Sequence, residues 1–238
     1  MIEQDREYYM NNPVFVKFKK RFDLLKLSRV RSLKKVAINE RIAEIPFAIR
    51  SLESVPRGGA VLDLGCVESV LPLYLASLGY RVTGLDFRDH PYVFPNFEFQ
   101  KGDILHMPFS DERFDAALCV STLEHIGLGY YADPKSSDRA DQKAIGEILR
   151  VLKKQGVFVL TVPYGVKETG RQQRVYDDPA LGNLLESFRR EEVRFFRSLK
   201  DDSHRNNFWK EIGQEEASHI RSKDQTTCVC LVKAVKAG

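Results

Sequence analysis

The stretch from Ala60 to Asp86 constrains this chain most, because it spells a strand, a glycine turn, a helix, a second strand and an acid. Ala60 to Leu64 is a short apolar run, and Gly65 marks a tight turn. Ser69 is of the helix-capping type, and Pro72 falls in the first turn, where proline is tolerated. Leu71, Leu75 and Leu78 recur at helical spacing and Gly79 closes the helix. Arg81 to Leu85 is the next strand, with Asp86 at its carboxyl end. Open α/β sheets bind ligands in the crevice outside the carboxyl ends of their strands. There Gly65 lets backbone approach a ligand, the helix start offers unpaired N–H groups, and Asp86 can accept two hydrogen bonds from a ribose diol.

A chain of 238 residues makes one large domain, or one domain with an appendage. Its first residues, Met1 to Glu7, lack the basic-then-apolar layout of a signal peptide. No apolar run approaches the roughly 20 residues of a membrane span, so a cytoplasmic protein is expected. The four cysteines, Cys66, Cys119, Cys228 and Cys230, form no CxxC pair, which leaves a zinc site or thioredoxin motif unsupported. They read as buried free thiols, with Cys66 singled out by its place in the glycine turn. Cys228 and Cys230 should share one face of a strand. The net charge of +4 is concentrated in residues 17–35, where Asp23 is the one acid among nine lysines and arginines. Such a segment suits phosphate, an anionic surface or an acidic partner, but it lacks the interleaved aromatics of a nucleic-acid module. A solvated helix face is the favoured reading.

Residues 1–57 read as a helical appendage on a domain spanning 58–238. Ile42, Ile45, Ile49 and Leu52 make a helical stripe through Arg41–Ser54, interrupted at Pro46. After Asp86, further strands are expected at Phe97–Lys101, Arg113–Val120, Gly156–Val162, Val193–Arg197 and Thr226–Val235. A helix over Asp138–Lys154 carries Ala144, Ile145, Ile148, Leu149 and Leu152 on one face. A second helix is expected near Pro179–Phe188, and residues 200–224 read as a polar connection. Strands alternating with helices imply a Rossmann-like, doubly wound α/β fold. Its sheet is mostly parallel and seven-stranded, with an antiparallel edge strand.

Four spaced features resemble the class I S-adenosylmethionine-dependent methyltransferases. They are Val61 to Cys66, the acid Asp86, Gly102-Asp103 after the third strand, and Phe114-Asp115 opening a strand that runs into Ser121 to His125. A helix ending in Leu149 to Gly156 looks like the family's "LRVLKPGG" passage, with Lys154-Gln155 replacing Pro-Gly. The resemblance covers about residues 58–165. Within the family the chain looks closest to small-molecule and glycan-directed members. It departs at the glycine-rich turn, where Val67 and Ser69 stand in place of the second and third glycines. A side chain at Val67 is expected to restrict that turn and crowd the cofactor.

The resemblance implies S-adenosyl-L-methionine as cofactor. Asp86 would take the ribose, with Phe87 beside it. Asp103 would accept from the adenine amine, with Ile104 against the ring. Asp63, Gly65 and Cys66 would form the turn at the methionine end, closed by Ser121. His125 lies beside the implied methyl site and can serve as a general base, with Glu124 next to it. No metal is expected, since Ser121 stands where a metal-binding relative would carry a glutamate. Tyr130, Tyr131, Tyr164 and Arg174 are the expected acceptor contacts, with Arg171, Tyr176 and His204 nearby in the same region. The expected reaction moves a methyl group to an oxygen or nitrogen of a small molecule or sugar. Nucleic acid is not the expected partner, and the oligomeric state is open. The other readings are a nicotinamide-dependent oxidoreductase, a non-catalytic nucleotide-binding module of the same fold, and an RNA methyltransferase using residues 17–35. The first of these wants a glycine at Val67.

Overall fold

The computed structural model describes residues 39–90, 93–129, 139–200, 207–222 and 226–237. Residues 38–238 form one compact unit. The basic segment 17–35 lies outside the described residues.

Five strands run parallel: β1 (Ala60–Leu64), β2 (Arg81–Asp86), β3 (Phe97–Lys101), β4 (Phe114–Val120) and β5 (Leu152–Pro163). A two-stranded hairpin follows, β6 (Glu168–Thr169) and β7 (Arg174–Val175). The sheet is completed by β8 (Phe188–Lys200), β9 (Asn207–Ile212) and β10 (Cys228–Lys236). Among the described residues the order is β3-β2-β1-β4-β5-β10-β8-β9. β10 is antiparallel to both β5 and β8, and β8 is antiparallel to β9. The sheet thus has eight strands where seven were expected. The eighth, β9, lies in the segment read as a polar connection, because Asn207, Lys210 and Glu211 hide its alternation.

Alternation along the central strands feeds two cores. Leu62, Ala117, Cys119, Phe158 and Leu160 face α3 (Ala140–Val151) and α4 (Asp178–Leu184). Val61, Ala116, Leu118, Val157 and Val159 face α1 (Arg41–Ser51) and α2 (Leu71–Ser77). Burying one such side chain contributes roughly 1.5–3 kcal/mol, so both faces must be covered and the sheet is doubly wound. A short helix, α5 (Gln214–Ser218), follows β9. Cys228 and Cys230 do share one face. All four thiols are buried and unbridged. Burial pushes them up, Cys228 to about 12.

Several sequence expectations shift. Helix α3 stops at Val151, so Leu152 opens β5 and pairs with Phe114. Gln155, with φ 59°, turns the chain into the long central part of that strand. In α2, Leu71 and Leu75 are buried but Leu78 is 45% exposed. In α1 the buried positions are Glu44, Phe47, Ala48 and Ser51 rather than the isoleucine stripe, and Ile42 is exposed. The helix is turned by the polar anchor at Glu44, described below, and it runs through Pro46 without ending. Phe47, Ala48 and Leu52 enter the core, so α1 is built into the domain.

Candidate functional site

A cavity of about 380 Å³ opens at the carboxyl ends of β1, β2 and β4, with the loop after β3 along one wall. This is the crevice that the opening strand-helix-strand pattern demands. Four groups of residues shape it.

Asp86, at the end of β2, is 4% exposed. Its Oδ1 accepts from the backbone N–H and the Nε of Arg88, at 2.9 and 3.2 Å. Its Oδ2 accepts from the N–H of Val67 at 3.1 Å and from the Arg88 guanidinium at 3.3 Å. Each oxygen therefore holds one backbone donor and one guanidinium donor. The guanidinium presents two donors as a vicinal diol would. Its other side reaches Glu68 Oε1 at 2.5 Å.

The second group follows β3. Asp103 Oδ1 accepts from the N–H of Leu105 at 2.8 Å and caps the turn Ile104–His106. Lys143 of α3 donates to His106 Nε2 at 2.7 Å, so the imidazole proton sits on Nδ1, facing Asp103 Oδ2 at 3.4 Å. Ile104 and Phe87 supply apolar wall.

The third group is the turn after β1. Gly65 has φ 73°, and a Cβ there would overlap the Thr122 hydroxyl. Glycine is thus required both by the left-handed backbone and by close approach. Thr122 Oγ1 lies 3.2 and 3.0 Å from the carbonyls of Leu64 and Val120, tying β1 to β4. The depleted glycine run becomes a 3-10 turn, Cys66–Glu68. The Val67 N–H is spent on Asp86, and its side chain does not line the cavity. Ser69 Oγ accepts from the Leu71 N–H at 3.0 Å, as its capping type predicts.

The fourth group lies under the carboxyl end of β4. Ser121 has φ 42°, strain of the kind that clusters at functional sites. It is held by the N–H bond to Thr161 Oγ1 at 2.9 Å and by Oγ donating to Glu44 Oε1 at 2.6 Å. Thr161 Oγ1 also donates to Glu44, at 2.7 Å. Arg41, which lines the cavity, bonds Glu44 Oε2 at 3.0 Å and the Val120 carbonyl at 3.2 Å. Glu44 is fully buried, and burial raises its carboxyl against the opposing pull of Arg41. Asp63 and Glu124 lie beneath the cavity. Burial pushes Asp63 up to about 7, with Arg41 countering and Asp86 adding to the rise. Burial likewise pushes Glu124 up to about 8. One oxygen of each carboxyl has no hydrogen-bond partner among the described residues.

Of the residues expected from sequence, Gly65, Asp86, Phe87, Asp103, Ile104, Ser121 and His125 line this one cavity. Others do not. Cys66 is 1% exposed, and its Sγ packs under Gly84. Asp63 and Glu124 are each 2% exposed and lie below the lining. Tyr164 is buried against Phe195, ring centroids 4.7 Å apart, in the core beneath β8. Arg174 is buried as well, bonding the carbonyl oxygens of Glu124 and Ile126. Tyr164 and Arg174 are therefore not acceptor contacts. Tyr176 donates to Asp141 Oδ2 at 3.1 Å inside the same core. Tyr130, Tyr131 and His204 lie outside the described residues. No group of His, Cys, Asp and Glu able to hold a metal ion occurs among the described residues.

Sequence reading missed Arg41, Arg88 and Thr122. Arg88 and Thr122 each sit next to a residue it had chosen. Arg41 carries no signal of its own, because it reaches the site from a helix assigned to the appendage.

Residues 62–160 match the family described as methyltransferase domain. With the sheet order and the crevice, this stretch has the fold of the class I methyltransferases, whose members use S-adenosyl-L-methionine. The chain is 30% identical over 127 residues to a tRNA (carboxymethyluridine(34)-5-O)-methyltransferase of Arabidopsis thaliana, covering 51% of this chain and 28% of that protein. It is 31% identical over 117 residues to the S-adenosyl-L-methionine-dependent Diels-Alderase iccD of Talaromyces variabilis, covering 45% and 37%. The matched stretches span less than half the length of these relatives. In fold it is similar to a 1,6-didemethyltoxoflavin-N1-methyltransferase of Burkholderia thailandensis, solved with bound 1,6-didemethyltoxoflavin and S-adenosylhomocysteine. That match has a TM-score of 0.57 and 15% identity, over 99% of this chain and 90% of the other. A SAM-dependent methyltransferase of Methanosarcina mazei has TM-score 0.53 and 17% identity, over 85% and 99%. No helix among the described residues is long and apolar enough to cross a membrane.

Proposed function

We propose that the chain transfers a methyl group from S-adenosyl-L-methionine to an oxygen or nitrogen of a small molecule or sugar. The observation that carries this reading is the bidentate seat on Asp86, filled by the Arg88 guanidinium, in a cavity bounded by Asp103 and Gly65. Asp86 would exchange that guanidinium for the two ribose hydroxyls. Asp103 would accept from the adenine amine, with Ile104 and Phe87 along the ring. Gly65 and Ser121 would flank the methionine end, and Arg41 offers that end a cation for its carboxylate. Asp63 and Glu124 lie below with their carboxyls raised by burial, ready to ionise when a cation enters above them, and Cys66 contributes backbone alone.

The cofactor supplies an activated methyl group on a positive sulfur. The protein must bring an acceptor atom in line with it, which supplies much of the rate by proximity. The acceptor lone pair forms the new bond to carbon, and the carbon–sulfur pair stays on sulfur. The acceptor's proton must then leave. His125 lies on the cavity wall, and its Nδ1 contacts the Gln172 carbonyl at 2.6 Å. A carbonyl only accepts, so Nδ1 carries hydrogen and Nε2 is the accepting nitrogen. His125 Nε2 would take the proton, 3.7 Å from Glu124 Oε1. Tyr130 and Tyr131 follow within six residues and would border the acceptor. Four unbridged thiols fit a cytoplasmic location.

The Arabidopsis relative's name favours a second acceptor class, RNA. Incubation with cofactor labelled in its methyl group separates the two, using a small-molecule cell extract and total RNA as parallel acceptors. Label in the extract, lost in His125→Gln, is expected. Label in RNA alone, lost when the basic residues at 17–35 are neutralised, would overturn the small-molecule reading.

A further inference from the structure

Between β5 and α4 the chain makes the small hairpin β6–β7, which the reaction as described does not use. The hairpin is pinned at its base and along one side. Gly165 N–H donates to the Tyr176 carbonyl at 2.9 Å, and Tyr176 N–H donates to the Pro163 carbonyl at 3.0 Å. Tyr176 Oη is anchored on Asp141 of α3. Thr226, just before β10, donates to Gln173 Oε1 at 3.1 Å. Its turn closes on itself, with the Gly170 N–H on the Gln173 carbonyl at 2.9 Å.

This rigid element meets the His125 turn at three points. Gln172 offers its carbonyl to His125 Nδ1. Arg174, 7% exposed, donates from Nη1 to the Ile126 carbonyl at 2.8 Å and to the Glu124 carbonyl at 3.4 Å. Those two carbonyls flank His125 on either side. Arg174 Nε lies 4.0 Å from Asp141 Oδ2, which keeps the guanidinium oriented. A charged donor on buried carbonyls is a stronger bond than a neutral one and holds one turn geometry.

We propose that Arg174 is a positioning residue that, through the hairpin β6–β7, locks His125 with hydrogen on Nδ1 and the lone pair on Nε2. An imidazole in water favours hydrogen on Nε2, the form that cannot accept a proton there. The Gln172 carbonyl reverses that preference, and Arg174 keeps His125 within its reach. This rests on His125 being the proton acceptor, and it makes the hairpin part of the catalytic apparatus without contact to either substrate.

The test is a two-bond proton–nitrogen spectrum of the full chain labelled with nitrogen-15 histidine, with the His125 signals assigned by their loss in His125→Gln. The unsubstituted protein should show His125 protonated on Nδ1 at alkaline pH. Arg174→Met should shift it to a mixture or to hydrogen on Nε2, with S-adenosylhomocysteine affinity changed less than about twofold. Arg174→Lys, keeping one donor, should restore most of the Nδ1 form. Should Arg174→Met fail to fold, Gly170→Pro opens the turn from the surface and should give the same shift. Hydrogen on Nε2 in the unsubstituted protein overturns the proposal, as does an unchanged tautomer in the folded variants. Methyl transfer surviving in His125→Gln would instead sink the base role and leave the tautomer result standing.

Discussion

The acids at the rim of the cavity and the acids beneath it are built for opposite purposes. Asp86 and Asp103 stand at the ends of β2 and β3 with backbone N–H groups on their oxygens. They face the cavity and have exchangeable partners, Arg88 and His106. Asp63, Glu124 and Glu44 are buried below, each raised by desolvation. Backbone donors and the exchangeable partners on the cavity side keep the rim acids facing the cavity. Closed surroundings make the floor acids sensitive to any positive charge that enters above them. Equal chemistry at nearby positions thus gives cavity-facing acceptors in one layer and desolvated, charge-responsive groups in the other.

Asp86→Ala should give the largest break in this comparison. It removes the carboxylate proposed to take the two ribose hydroxyls, charge-assisted bonds worth roughly 1.5–3 kcal/mol each before the Arg88 bonds given up are subtracted. Calorimetry should show S-adenosylhomocysteine affinity falling about a hundredfold; a fall under about threefold would place the ribose elsewhere.

Asp63→Asn tests the floor. An acid whose folded value is raised binds more protons in the folded state, so it costs stability as pH rises from its unfolded value of 3.8 to about 7. The variant escapes that loss. In urea unfolding, its advantage over the unsubstituted chain should be larger at pH 8 than at pH 5, by on the order of 2 kcal/mol. An advantage independent of pH would mean that Asp63 is ionised throughout.

Two smaller effects belong to the rim. Asp103→Asn keeps the cap on Leu105 but weakens the acceptor proposed for the adenine amine, for an expected affinity loss of about fivefold. Arg88→Ala frees Asp86 of its stand-in at the cost of a partly exposed ion pair, and should tighten S-adenosylhomocysteine by up to about fivefold. Weaker binding in Arg88→Ala would show that the guanidinium stays in the bound state.

The parallel half of the fold was legible because its inner strands are buried on both faces and it is punctuated by Gly65, Asp86 and Gly102. The antiparallel half was not: β9 sets Phe208-Trp209 beside Lys210-Glu211 at an edge, where burial no longer writes a pattern. Leu152 reads as helix by local spacing, and only its pairing with Phe114 assigns it to β5. The site shows the same divide. Asp86 and Asp103 announce themselves by their place after strands. Tyr164 and Arg174 have the chemistry of acceptor contacts, yet both are spent in the core. Arg41 is invisible locally, since Glu44, Ser121 and Thr161 that anchor its helix are up to 117 residues apart.

The crevice at Asp86 should take an adenosylated thioether rather than a dinucleotide. Calorimetric titration of the unsubstituted chain with S-adenosylhomocysteine and with NADH tests it most directly. Binding of S-adenosylhomocysteine at micromolar concentrations, with none for NADH, is the predicted result. Clear NADH binding without S-adenosylhomocysteine binding would contradict it.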